Sequence, residues 1–226
     1  MVLEHRGRGG TKRGTESSSL IYLASTSPRR KALLKRVGIP FRMLKPDFEE
    51  DRRPTAPPSR IVQIHAVKKA DSCAGQVKNG TLLAADTVVC LGGKIFGKPA
   101  NQREARLILG RLQGRWHYVY TGVAIFKIIG GHVIKRTVFF EKTAVRLKRL
   151  TARGIQSYVQ KVNPLDKAGA YAIQSRQRGI VEEVKGSFSN AVGLPVEKIL
   201  KNIAKRSIKK RVLRREVEFV AKMAIH

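Results

Sequence analysis

Acidic residues are scarce in this chain. Sixteen Asp and Glu stand against 46 Lys and Arg, a formal charge of +30 at pH 7. Residues 1–19 hold four basic and two acidic side chains, and residues 204–226 hold eight and two, so +22 of that charge belongs to the segment between them. A surface so short of carboxylates attracts polyanions such as nucleotides, nucleic acid or acidic lipid. A generally basic proteome gives the same surface, so charge alone selects none of these. Cysteine is nearly absent. Cys73 and Cys90 are isolated, without metal-type spacing, and read as free thiols in a reducing compartment. Long apolar runs are missing: no stretch reaches the roughly 18 residues of a membrane span. The Arg- and Gly-rich start contains Glu4 and Glu16 and lacks the apolar stretch of a secretory signal. A cytoplasmic protein without membrane contact is expected. Aromatics make up only 6% of the chain, so no stacking platform for single strands is evident. What remains is ordinary apolar content, 42% of 226 residues, enough for one sizeable core or two small ones.

The order of apolar runs and breakers lays out the domain. Residues 1–19 carry no apolar period and read as a disordered basic arm. Leu20–Ala24 reads as a short buried strand. Ser27 suits an N-cap and Pro28 the first helical position, with Ala32, Leu33, Leu34 and Val37 inward and Gly38 ending the helix. Phe41–Leu44 is a second short strand. Pro46–Pro58 is a Pro-rich loop with Asp47, Glu49, Glu50 and Asp51, and Ser59 is expected to cap the next helix. Thr81–Leu91 reads as a strand turning at Gly92-Gly93 into Lys94–Phe96. Asn101 caps a helix with Ala105, Leu107, Ile108 and Leu112 inward. Trp116–Ile129 and His132–Leu147 form a long hairpin at Gly130-Gly131. Thr151 caps a helix through Tyr158, and Lys167–Gln174 is partly helical. Ile180–Val184 is a strand, Ser187–Asn190 a turn, and Pro195 opens a last helix that continues as a basic helical tail over 204–226. Alternating strands and helices predict an α/β fold, a mixed twisted sheet flanked by helices.

Several segments carry chemistry. Ser25-Thr26-Ser27-Pro28-Arg29-Arg30 takes a strand into a helix start, where free N–H groups and the helix dipole favour phosphate. Ser25 and Ser27 add hydroxyls, and Arg29 and Arg30 add forks that match phosphate oxygens. An ordinary capped helix with surface arginines has the same sequence. Asp86 follows Leu82-Leu83-Ala84-Ala85, where a charge is costly unless it is paired or leaves the core. It is expected at a strand end, as a turn aspartate or as a group that orients water or holds a cation. Lys98 in Gly97-Lys98-Pro99 is a phosphate ligand or a solvated hairpin lysine. Glu49 and Glu50 suit Mg²⁺ or Mn²⁺, which take oxygen ligands, or form a solvated acidic loop. Lys68 and Lys69 sit side by side on the helix after Pro58. In Asp166-Lys167-Ala168-Gly169-Ala170-Tyr171-Ala172-Ile173-Gln174, Asp166 could hold metal, Lys167 phosphate and Gln174 a base edge.

LASTSPRR, FEED, AADTVV, GKP, YTGV, DKAGAYAIQ and SNAVGLP occur in this order over Leu20–Ile203. The set resembles the Maf family of nucleoside triphosphate pyrophosphatases, and the DKAGAYAIQ form resembles its dTTP/UTP branch. The resemblance implies a Maf/ITPase-like fold over 20–203 with an active-site cleft between two lobes. It implies hydrolysis between the α and β phosphates, a divalent cation and a homodimer. Mapped by motif, Asp86 is the proton acceptor and a metal ligand with Glu50. Arg29, Thr87 and Gln174 match positions tied to substrate choice. Arg30, Lys69 and Lys98 match phosphate- or metal-site positions. The chain departs from the family pattern after Gln174, where Ser175 and Arg176 replace the usual glycine-led sequence.

Two other readings compete. The basic tail, Lys205–Arg215 above all, fits nucleic acid, although no zinc-finger or RNA-recognition pattern accompanies it. Maf proteins are also associated with septum formation, so a cell-division regulator with vestigial chemistry is a third reading. Asp86, Lys98 and Gln174 are intact and argue against it. If Gln174 reads the pyrimidine edge, Gln174→Ala raises KM for dTTP and UTP. Steady-state constants that both stay at wild-type values remove that role.

Overall fold

A computed structural model describes residues 20–49, 56–173 and 179–203. In chain order the elements are β1 (Ile21–Ala24), α1 (Pro28–Arg36), β2 (Phe41–Leu44), α2 (Pro58–Ala74), β3 (Gly80–Leu91), β4 (Lys94–Phe96) and α3 (Gln102–Leu112). They continue with β5 (Trp116–Ile129), β6 (His132–Leu147), α4 (Ala152–Lys161), a 3-10 turn (Ala168–Ala170), β7 (Val181–Lys185), α5 (Phe188–Val192) and α6 (Val196–Ile203). The strands form one seven-stranded mixed sheet in the order β2-β1-β3-β5-β6-β7, with β4 on the far end of β3. The first three strands in space run parallel, and the β3-β5-β6-β7 part is antiparallel.

The pleat of β3 and β5 sorts side chains onto two faces. Leu82 and Ala84 point with Ala124 and Phe126 toward Ala66, Ala70 and Cys73 of α2. Leu83 and Ala85 point with Val123 and Ile125 to the other face, covered by Leu33 and Leu34 of α1 and by Val196, Ile199 and Leu200 of α6. A third cluster lies past the middle of β3. There Val89, Phe96 and Val119 pack on α3, on α4 and on Ala170 and Tyr171. These clusters make two lobes. One gathers β1, β2, α1, α2, α5 and α6; the other gathers α3, α4, β4 and the 3-10 turn. The expected mixed sheet with a cleft between lobes is what the chain builds. Among the described residues no helix is long and apolar enough to cross a membrane.

The hairpin at Gly130-Gly131, both at positive φ, falls where the turn residues place it. Asn101 caps α3 by accepting the Glu104 N–H at 2.9 Å, and Thr151 caps α4 by accepting from Gly154 at 3.1 Å. Other expectations are corrected. Ser59 lies inside the first turn of α2, because Pro58 already has the helical φ and Pro57 takes the cap position. In α3, Leu109 is buried and Leu107 is 60% exposed; the inward stripe Ala105, Ile108, Leu109, Leu112 keeps the 3.6 period that Leu107 breaks. Ala32 on α1 is exposed. Ser187–Asn190, expected as a turn, instead opens the short helix α5, with the Ser187 hydroxyl capping it by accepting the Asn190 N–H at 3.0 Å.

Gly122 decides how α2 meets the sheet. It pairs with Asp86 across β3 and β5. A Cβ there would lie 2.2 Å from the backbone carbon and oxygen of Val62. The helix therefore rests directly on the β5 backbone, and only a residue without a side chain permits that approach. Gly122→Ala is expected to destabilise the fold by about 2 kcal/mol or more, a fall in Tm of roughly 4–8 °C for a domain of this size. An unchanged Tm would show that α2 does not depend on this contact.

Candidate active site

Asp86 is not at a strand end or in a turn, as expected from its sequence setting. It is the seventh residue of the twelve in β3 and is 2% exposed. The strand continues through it because α2 supplies the partners that a buried charge requires. Lys69 donates from Nζ to Asp86 Oδ1 at 2.6 Å, and His65 donates from Nδ1 to Asp86 Oδ2 at 3.0 Å. His65 and Lys69 are one helical turn apart and both buried. Lys68, its neighbour, is exposed. Burial pushes the Asp86 carboxyl up, but the His65 hydrogen bond and the Lys69 ammonium outweigh it, helped by Arg30. The group is held well below the usual carboxylate range.

Thr87 points to the opposite face, where it meets α1. Its hydroxyl accepts from Arg30 Nη2 at 2.9 Å. The same guanidinium donates from Nε to the Gly193 carbonyl at 2.9 Å and from Nη1 to Ser25 Oγ at 3.3 Å. Ser25 Oγ also accepts the Ser27 N–H at 3.2 Å, so the bend between β1 and α1 is held by Ser25. Ser27 occupies the cap position of α1, but its own hydroxyl caps nothing. Arg30 thus ties the LASTSPRR segment to AADTVV and SNAVGLP.

Arg29 reaches across the cleft. Its guanidinium meets Asp166 twice, Nη1 to Oδ2 at 2.6 Å and Nη2 to the backbone carbonyl at 2.8 Å. Lys167 holds the other carboxylate oxygen at 2.5 Å and also donates to the Asn163 carbonyl. Asp166, a metal candidate by sequence, is paired here with Arg29 and Lys167. Partial burial raises its pKa, and the Lys167 and Arg29 contacts more than reverse this. The following turn is strained and closely packed. Gly169 and Ala170 have φ of 72° and 62°, left-handed values that a non-glycine residue rarely adopts. A Cβ on Gly169 would lie 2.7 Å from Val89, and the Gly169 N–H donates to the Gly97 carbonyl at 3.0 Å. That bond sets the Lys98 loop against the Asp166–Lys167 turn.

These segments enclose one cavity of about 380 Å³ between the lobes. Ser25, Ser27, Arg29, Arg30, Lys69, Asp86, Thr87, Lys98 and Lys167 all line it, so nine residues singled out from sequence converge. Its charged lining is five cations against two carboxylates, Asp86 and Asp166. The α1 start opens into it, adding the positive end of the helix dipole. A second, more open cavity of about 780 Å³ adjoins it and shares Phe48, Asp86, Thr87 and Lys98, with exposed Glu49 on its rim. Glu50 and Gln174 lie outside the described residues, as do the arm 1–19 and the tail 204–226. His65 is a functional candidate that the motifs did not single out. The signal was its position four residues before Lys69.

A cationic cleft at a helix start, with one ionised carboxylate held in the sheet, defines a phosphate-handling site. The chain belongs to the Maf family: the model of the Maf-like protein matches residues 20–206. It is 40% identical over 179 residues to the dTTP/UTP pyrophosphatase of Pelotomaculum thermopropionicum, covering 79% of this chain and 92% of that one. The dTTP/UTP pyrophosphatase of Bacillus cereus is 37% identical over 208 residues, 92% of this chain and 98% of its own. Among solved structures, the Ham1 protein of Staphylococcus aureus is similar at a TM-score of 0.39 and 16% identity, over 56% of this chain and 71% of its own.

One buried histidine beneath the cleft makes stability depend on pH. His117 is 1% exposed, and burial lowers its pKa to about 4 against the ordinary 6.5, opposed by the Arg115 carbonyl. That carbonyl only accepts, so Nδ1 carries the proton and Nε2 accepts from the Tyr171 hydroxyl at 2.8 Å. The unfolded chain takes up a proton near pH 6.5, the folded chain only near 4. The stability is therefore full above 6.5 and falls by about 3 kcal/mol as the pH drops toward 4. Asp86 adds a second loss below that window, because its folded pKa lies under its unfolded value. Urea midpoints should decline between pH 7 and 4.5; a flat profile would contradict a buried neutral His117.

Proposed function

We propose that the chain is a nucleoside triphosphate pyrophosphatase that acts on dTTP and UTP and yields the nucleoside monophosphate and pyrophosphate. The reading rests on Asp86, an ionised carboxylate at the cavity floor, faced by the cations and hydroxyls of four separate segments. The curated relatives, named dTTP/UTP pyrophosphatases, support the substrate class. Residues 20–203 form the catalytic domain in this reading.

Water attacks the α-phosphorus. A P–O bond forms there while the bond from that phosphorus to the bridging oxygen breaks, and pyrophosphate leaves with the bond electrons. Asp86 accepts a hydrogen bond from the attacking water and takes up its proton as the new bond forms. Its low basicity makes orientation the larger part of its contribution. Ser25, Ser27 and the α1 N–H groups receive the phosphate oxygens. Arg30, Lys69, Lys98 and Lys167 offset the developing charge. Thr87 acts through Arg30, whose fork it fixes, and Arg29 acts by holding the Asp166 turn against α1. Gln174 reads the base.

A divalent cation fits this donor set in one way. Among the described residues no three His, Cys, Asp or Glu side chains are grouped to hold a metal. Such a floor suits Mg²⁺ or Mn²⁺ carried on the triphosphate and keeping its waters, rather than a protein cage. Asp86 and Glu50 would hold it, and it would neutralise phosphate charge. A homodimer is part of the same proposal.

Release of pyrophosphate from a panel of nucleoside triphosphates, with Mg²⁺ and Mn²⁺ tested separately, checks the reading. Asp86→Asn keeps the volume and removes the charge, and should lower kcat by at least roughly 10²-fold. Near-normal turnover would dismiss Asp86 from the chemistry.

A further inference from the structure

The α2 helix presents two donors to Asp86: Lys69, expected from its motif at a phosphate or metal position, and His65, to which the sequence assigned no role. Lys69 satisfies Oδ1 and His65 satisfies Oδ2. A carboxylate held at one oxygen pivots about the bond to its Cβ; held at both, its plane is fixed. The two donors belong to one rigid helix, pressed on the sheet at Gly122, the cross-strand partner of Asp86. The remaining lone pairs of Asp86 are then aimed by the backbone of α2 rather than by a flexible contact. His65 is itself held from a second side. Phe48 packs against its ring at a centroid distance of 5.2 Å, tilted by 58°. Phe48 lines both cavities and precedes Glu49, so the ring that aims Asp86 also packs on the residue before Glu49.

We propose that His65 is a positioning residue for the hydrolytic step: its Nδ1–H fixes the plane of the Asp86 carboxylate, and its ring seats the Phe48 loop. This rests on the pyrophosphatase reading, since it assigns no contact between His65 and substrate. The phosphate cradle comes from α1, Lys69 and the Lys98 and Lys167 loops; His65 lines the adjoining second cavity, shares Asp86 with Lys69, and no described hydrogen bond joins it to any of these groups. Loss of the donor therefore affects kcat and spares KM.

Two variants separate the hydrogen bond from the packing. His65→Leu keeps apolar bulk and removes the donor. His65→Asn places an amide N–H at the same distance along the side chain as Nδ1, and so restores the donor with a smaller group. For His65→Leu, kcat for dTTP or UTP should fall by about tenfold or more with KM within about twofold, the scale of a displaced reacting group. For His65→Asn, kcat should return to within about threefold of wild type. In an Asp86→Asn background, His65→Leu should cause no further loss, because the group it aims is gone. Each variant's thermal unfolding is recorded, and kcat is taken per folded molecule.

Equal kcat for wild type and folded His65→Leu would overturn the positioning role, as would a His65→Asn no better than His65→Leu. A full further loss in the Asp86→Asn background would overturn it too. If the wild type releases no pyrophosphate from any nucleoside triphosphate, the enzyme reading itself falls. Normal wild-type turnover with an indifferent His65 removes this inference alone.

Discussion

The structure turns on a charge kept inside a β-sheet. Asp86 sits in the middle of β3, nearly out of reach of solvent, where an unpaired carboxylate would be expelled or neutralised. It stays ionised because α2 brings an ammonium and an imidazole N–H to its two oxygens. The helix reaches them only because Gly122 has no side chain to hold it off the sheet. A steric permission on one strand thus sets the electrostatics of the next.

Around that carboxylate the chain assembles cations that repel one another. They are held together by contacts with the protein's own oxygens. Arg30 is shared among a serine, a threonine and a carbonyl, and Arg29 and Lys167 divide Asp166 between them. These contacts also join the lobes, since Arg29 begins on α1 and ends on the turn after α4. In the proposed reaction a triphosphate would meet groups already placed by these contacts.

Elements with strong local signals were readable. The β5–β6 hairpin followed from Gly130-Gly131, the α3 and α4 starts from Asn101 and Thr151, and the cleft residues from motifs shared with Maf proteins. Local reasoning failed where two elements meet. Asp86 reads as a strand end because an acid interrupting an apolar run has that meaning when its partners are unseen. Leu107 reads as core because its neighbours are apolar, yet the helix's contact stripe passes it by. The ion pairs of Asp166 with Arg29 and Lys167 were not legible in its own segment, because Arg29 comes from α1. His65 had no separate meaning until β3 lay opposite it.

The sequence by itself determined the family, the order of strands and helices and the identity of the residues in the cleft. The family and the cleft residues follow from motifs shared with Maf proteins, and the order of elements from apolar period and breakers along one chain. Tertiary structure alone decided which donor faces which oxygen: Lys69 rather than Lys68 on Asp86, His65 beside it, and Arg29 on Asp166. Such pairings depend on the rotation of a helix against a sheet and on the distance between them. That geometry is set by packing at places like Gly122, on a different strand from Asp86, and Gly169, where the turn after Asp166 and Lys167 meets Gly97.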